Sequence, residues 1–250
     1  MLALLLVCTL IAPAFAFAEE ASTTPRGPKA QGTALADRFC TNIDTISTRI
    51  MGGIGTREGK LKERRDVRLE RKDIKRDTRD DKLVTNREKW DDSRTDRHTK
   101  LETRASTTEQ KAAVTTYKTA VEAAVKTRKA AVDAALSAYR TGVDAAIAEN
   151  QTKIDAAATA FKSAVDTAIA KAKADCAGGV APATIRDTLK ASIKAAQEAQ
   201  KTALSGLKGT LEPKIAALKA TRDAAVKAAL DAFKTAHTSA LTALKAAFGV

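Results

Sequence analysis

From residue 106 to residue 176 the apolar positions follow one rule without a slip: they recur at spacings of 4, 3 and 4. The leading position of each unit is β-branched: Val121, Val132, Val143, Ile154 and Val165. Four residues later come Val125, Leu136, Ile147, Ala158 and Ile169. The third seam position is Tyr117, Arg128, Tyr139, Asn150, Phe161 and Ala172. Eleven residues in three turns is about 3.67 per turn, the period of a nearly straight or slightly right-handed coiled coil. The spacing therefore predicts one long helix with a continuous seam. The charges keep the same period. An acid follows each β-branched residue (Glu122, Asp133, Asp144, Asp155, Asp166), and four residues before each acid stands Lys118, Lys129, Arg140, Gln151 or Lys162. Four of these five combinations read as i,i+4 ion pairs within the helix.

The segment before it, 33–105, has a different texture. Phe39, Ile43, Ile46 and Ile50 recur at helical spacing beside Cys40. Gly52-Gly53-Ile54-Gly55 follows, and glycine costs a helix about 1 kcal/mol per residue relative to Ala, so a hinge is expected there. Residues 56–105 then carry 18 Lys/Arg against 13 Asp/Glu, a net of +5. Mixed signs support a helix, and the apolar residues Leu61, Val67, Leu69, Ile74, Leu83, Val84, Trp90 and Leu101 are read as a thin seam. Trp90 is expected to anchor that seam or, if exposed, to anchor a partner.

Between the two segments, Ser106, Thr107 and Thr108 read as a helix start inside a helical stretch. Ser106 with Glu109, or Thr107 with Gln110, fits a capping box. The chain is expected to turn back here. A hairpin folded about residue 108 brings Cys40 and Cys176 together at its open end, where a disulfide can lock both arms. Arms of that length would reach about 100 Å at 1.5 Å per residue.

Beyond Cys176, Gly178-Gly179 and Pro182 mark a break, since Gly favours the position after a helix and Pro the first position within one. The residues 177–250 are expected to form two helices separated at Gly206, Gly209 and Pro213. Residues 19–32 (EEASTTPRGPKAQG) read as a flexible linker. Residues 1–18 (MLALLLVCTLIAPAFAFA) read as a signal peptide cleaved after Ala18, with an uncleaved anchor as the alternative. Export leaves two cysteines in the mature chain, an even count that suits an oxidising compartment. The expected architecture is all-α: a long antiparallel helical hairpin, a coiled coil with 11-residue repeats, plus a shorter C-terminal helical pair.

Composition narrows the chemistry. Aromatic residues are only 4% of the chain, and alanine supplies most of its apolar content, so a thick globular core is excluded. No nucleophile, phosphate loop or metal-ligating cluster stands out. His98 reads as part of a solvated helix face, and His237 as a tolerated helix–helix contact. No catalytic residue, cofactor, metal or small-molecule substrate is expected. The net charge of +13 invites an anionic polymer or lipid surface. No pure basic run is interleaved with aromatics, so sequence-specific nucleic-acid reading is not expected.

Three phrases carry a resemblance: Arg38-Phe39-Cys40, Lys173-Ala174-Asp175-Cys176 with the Gly179-Val180-Ala181-Pro182-Ala183-Thr184 turn, and the terminal Ala243-Leu244-Lys245-Ala246-Ala247-Phe248. They resemble exported Ala-rich helical proteins of ultrasmall candidate-phyla bacteria. The resemblance implies export and a helical build, and it implies no activity. The repeat period also resembles that of exchangeable apolipoproteins and late-embryogenesis-abundant proteins, without Pro between repeats. The basic exported helices resemble the periplasmic chaperone Skp, without strands for its body domain. The expectation is a non-enzymatic spacer or interaction rod of the cell envelope, periplasmic, cell-surface or extracellular. Its partner is expected to be an envelope protein or a second copy. The alternatives are a Skp-like holdase and an amphipathic binder of anionic surfaces.

Overall fold

Alanine, lysine, arginine and leucine lose little conformational freedom in a helix, and few glycines or prolines interrupt them here. The computed structural model describes residues 38–249, so the expected leader 1–18 and linker 19–32 lie outside the described residues. Three long helices account for almost all of these, and no strand occurs among them. They are α1 (Ile43–Arg104, 62 residues), α2 (Thr108–Ala177, 70 residues) and α3 (Pro182–Phe248, 67 residues), with a helical turn at 38–41 before α1. The fold is all-α, and its first two helices form the antiparallel hairpin. No helix among the described residues is long and apolar enough to cross a membrane.

Residues divide into two compact units, each drawing on all three helices. Of the described residues, the first unit takes 38–64 together with Ala148–Glu212. Its core is apolar. Ile43, Ile50 and Ile54 of α1 meet Val165, Ile169 and Ala172 of α2 and Ile185, Leu189, Ile193 and Ala196 of α3. Cys40 and Cys176 are bonded at its edge, with their Cα atoms 5.5 Å apart, and both pack on this core. Nearby, Lys173 Nζ lies 2.6 Å from Asp44. The second unit takes Arg65–Ile147 and Pro213–Val250. Its small apolar cluster unites Ala105, Val114 and Leu244, with Leu101, Tyr117, Leu241 and Phe248 packed around them.

Both expected ends of the hairpin arms have defined hydrogen bonding. The chain leaves α1 at Arg104 and enters α2 at Thr108. Of the two capping boxes the sequence allows, Thr107 with Gln110 forms. Thr107 Oγ1 accepts from the Gln110 N–H (3.2 Å), and Gln110 Oε1 accepts from the Ser106 and Thr107 N–H groups (2.9 and 3.3 Å). Thr107→Ala removes one side of this box and should cost about 1 kcal/mol. Urea unfolding measures it; an unchanged midpoint would mean that the apolar contacts around Ala105 alone hold the turn. At the other break, Gly179 adopts φ +71°, the left-handed conformation that favours glycine. The Val180 N–H reaches Asp175 O (3.0 Å) and the Gly179 N–H reaches Cys176 O (3.3 Å), which closes α2 in a Schellman motif. Pro182 then takes the first position of α3, where its missing N–H costs nothing.

Two expectations about breaks require correction. Gly52-Gly53-Ile54-Gly55 is no hinge: α1 runs through it, with the glycines facing open space. Ile50 just before the run and Ile54 within it, only 8% and 6% exposed, sit on the core face, and their packing outweighs the weak propensity. The C-terminal pair is realised as two stretches of one helix. Residues 182–212 belong to the first unit and Pro213 onward to the second, but α3 is not interrupted there. A single proline withholds one backbone donor. Leu204, Leu207 and Leu211 before it, and Ile215 and Leu218 after it, keep inward positions within their own units.

Candidate functional site

The 11-residue period of α2 has a counterpart on α1 that apolar residues do not reveal. In the second unit, the α1 side chains turned inward are Arg65, Leu69, Lys72, Arg76, Asp80, Leu83, Arg87, Asp91, Arg94, His98 and Leu101. Most are charged. From Arg65 to His98 the spacing is again 4, 3 and 4, so one turn pattern governs both helices up to that point. The expected apolar seam of α1 is corrected accordingly. Leu69, Leu83 and Leu101 do face inward, whereas Val67, Ile74, Val84 and Trp90 of this unit are 38–56% exposed, and Leu61 of the first unit is 56% exposed.

Across this polar seam the helices are joined by a ladder of ion pairs of alternating polarity. Glu102 meets Lys118 (3.1 Å), Asp91 meets Lys129 (2.5 Å), and Asp80 takes both arms of the Arg140 guanidinium. Between these rungs the signs reverse. Arg94 meets Glu122 (2.7 Å), Arg87 grips Asp133 with two nitrogens (2.6 and 3.1 Å), and Arg76 grips Asp144 (2.8 and 3.0 Å) with Lys72 beside it (2.8 Å). The central rungs pair residue n with 220 − n, the geometry of an antiparallel pair in a fixed register. The i,i+4 pairs expected within α2 are therefore corrected for Lys118, Lys129 and Arg140. They turn across to α1, and so do the acids four residues after them. These charges, expected to support each helix along its own length, join the two helices instead.

The rungs leave their mark on proton affinity. Hydrogen bonds from Arg140 hold the Asp80 carboxyl below its usual range. Lys129 does the same for Asp91, and Arg76 for Asp144. Arg94 is raised: burial opposes its charge, but its hydrogen bonds to Glu122 and Asp91 prevail.

Both histidines of the chain lie in the second unit, and both touch Tyr117. His98 is not on a solvated face but buried, 4% exposed, edge-on to the Tyr117 ring at 6.0 Å between centroids. Its Nδ1 lies 3.7 Å from Glu122 Oε1. Burial lowers its pKa despite that carboxylate. The Tyr117 hydroxyl lies 3.2 Å from His237 Nε2 on α3, so the seam position of His237 is occupied as a helix–helix contact.

The remaining face of α2 meets α3. Here the alternation of aromatic and non-aromatic residues finds its meaning. Tyr117 is answered by His237, Arg128 by the Phe233 ring (4.4 Å to its centroid) and Tyr139 by Arg222 (4.6 Å). A guanidinium thus covers a ring at two of the three positions. Gly142 continues this contact; a Cβ there would stand 2.6 Å from Leu218 Cδ2.

Every expected seam residue of α2 is at least half-buried. Val121, Val125, Val143, Val165 and Ile169 are fully buried, and Val132, Leu136, Tyr139, Ile147, Ile154 and Phe161 are intermediate. Trp90 is 55% exposed, with Arg128 6.0 Å from its ring, so it anchors no seam.

To either side of the ladder, α1 carries a stripe of one sign. One residue before Leu69, Lys72, Arg76, Asp80 and Leu83 stand Arg68, Arg71, Lys75, Arg79 and Lys82; one residue after Arg65, Leu69, Lys72, Arg76 and Asp80 stand Asp66, Glu70, Asp73, Asp77 and Asp81. All ten are exposed. At about 100° per residue the stripes lie a quarter turn to opposite sides of the seam. Like charges three and four residues apart repel, by about 0.2–0.5 kcal/mol per pair. Asp73 leans on Lys72 (3.4 Å) and Arg76 (3.8 Å), while the five bases have no ion-pair partner among the described residues.

Among the described residues, no cluster of His, Cys, Asp or Glu could hold a metal ion, and every buried side-chain nitrogen or oxygen has a hydrogen-bond partner. Compared with known proteins, the chain matches no family model, no curated sequence and no solved structure. What its fold defines is an all-α protein built on a disulfide-linked helical hairpin with 11-residue repeats.

Proposed function

We propose that this is a non-enzymatic exported protein that serves as a structural spacer or interaction rod of the cell envelope. The observation that carries this reading is the ladder. The charged groups of α1 and α2 that could otherwise do acid–base work are consumed in pairing two helices along their length. The Cys40–Cys176 bond supports an oxidising compartment, and the short apolar leader supports export. A holdase or an anionic-surface binder is weaker on the same ground, because the basic stripe runs beside an equally long acidic one.

The test is expression of the whole chain in a bacterial host, followed by fractionation. The expected product lies outside the cytoplasm, begins at Glu19 and has no free thiol. A cytosolic product that keeps its leader and three reactive cysteines, Cys8, Cys40 and Cys176, would overturn the reading.

A further inference from the structure

We infer that the outward face of α1 in the second unit, from Asp66 to Glu88, is a docking surface for a second copy of this chain, aligned parallel to the first. The inference rests on the reading as an interaction protein and names the partner. Opposite the ladder, α1 presents Val67, Ile74, Thr78 and Thr85, all exposed and none charged. The basic stripe runs along one side of this strip and the acidic stripe along the other.

That arrangement selects one partner geometry. When two such helices face each other in parallel about a twofold axis along their length, the basic stripe of each lies beside the acidic stripe of the other. When they face each other antiparallel about a twofold axis, basic meets basic and acidic meets acidic. In the parallel, in-register pair, Arg68, Arg71, Lys75 and Arg79 stand two positions from Glu70, Asp73, Asp77 and Asp81 of the partner. Two positions are about 3 Å along the axis, within reach of side chains this long. Both sides of the strip are then lined by opposite charges, the arrangement that sets partner and orientation in coiled coils. Val67 and Ile74 supply its apolar centre, as exposed residues that the folded chain leaves uncovered. The second copy also offsets the repulsion within each stripe, because each base gains an acid across the interface beside its like-charged neighbours.

The test uses the full oxidised chain in analytical ultracentrifugation. At low salt the expected species has twice the chain mass, and 1 M salt, where screening acts over about 3 Å, returns it to the single-chain mass. One variant carries R71E, K75E and R79E, so that both stripes are acidic; another carries D73K, D77K and D81K, so that both are basic. Each alone is expected to sediment as a monomer, and an equimolar mixture as a heterodimer. Circular dichroism confirms that each remains helical. If either triple variant loses its helix, Thr78→Cys decides instead, since a parallel in-register pair places Thr78 beside its own counterpart and cross-links on oxidation. A wild-type monomer at all concentrations overturns the inference, as does a dimer that both triple variants retain. A protein exported as expected but monomeric would sink this docking surface and leave the spacer reading standing.

Discussion

Breaking the Cys40–Cys176 bond, by reduction or as the Cys40→Ser/Cys176→Ser double variant, should lower stability by about 5 kcal/mol. The bond joins residues 136 apart in sequence. In the chain-entropy account, a crosslink of that span removes more disorder from the unfolded chain than one closing a short loop. Substituting both cysteines leaves neither member of the pair as a lone thiol to form other bonds. The loss should appear as a lower urea midpoint for the first unit, whose core both cysteines touch. Ile43, Ile50, Val165 and Ile185 keep their contacts in the reduced chain, so its helices should persist at neutral pH. A midpoint that ignores reductant would mean that the unfolded chain already holds these ends together.

Acid should detach α1 from α2 in the second unit before it disturbs the first. Asp80, Asp91 and Asp144 have carboxyl pKa values below the usual range in the folded chain. Each contributes stability that is complete above the ordinary carboxylate range, near pH 4, and is lost as pH falls through the lower folded value. His98 acts in the same direction at higher pH. Burial favours its neutral form, so its contribution is complete above about pH 6.5 and declines below that as the unfolded chain takes up the proton. Around its ring stand Arg94 and Glu102 of α1, Lys118, Glu122 and Tyr117 of α2, and His237 of α3 beyond Tyr117. Hydrogen exchange read by mass spectrometry follows the outcome. Between pH 7 and pH 3, after correction for intrinsic exchange, protection over residues 65–104 should fall, in the direction set by the lowered Asp80, Asp91, Asp144 and His98 values. Residues 185–196, in the apolar core, should keep theirs. Uniform loss across both stretches would show that the ladder does not govern the pairing of α1.

These two outcomes separate what an eye for apolar residues detects from what it does not. The second helix was legible because Val, Ile and Leu recur along its seam and alanine fills the gaps. The turn was legible through Thr107 and Gln110, and the end of α2 through Gly178-Gly179 and Pro182. The α1 seam escaped because its members are charged. Laying the 11-residue period of α2 over α1 would have found it: Arg65, Arg76, Arg87 and His98 are evenly spaced, and so are Asp80, Asp91 and Glu102. Lys118, Lys129 and Arg140 were assigned to their own helix because i,i+4 neighbours are visible in one dimension, whereas partners on another helix are not. His98 was misplaced for the same reason. The continuity of α1 through its glycines and of α3 through Pro213 depends on packing supplied by distant parts of the chain, which local propensity does not contain.

Because each rung is repeated every eleven residues on both helices, the rungs are interchangeable, like the teeth of a rack. Adding eleven residues to α1 and eleven to α2 in the second unit would insert one acid–base and one base–acid rung and extend the pair by about 16 Å. Every rung on either side would keep its partner. Adding eleven to one helix alone would also offer every charge an opposite, displaced by one tooth. The ladder thus measures length without fixing position. Position is set where the pattern ends, by the three-residue turn at Ala105, Ser106 and Thr107. A lineage carrying this fold can change its span in steps of a fixed size while that corner stays the same.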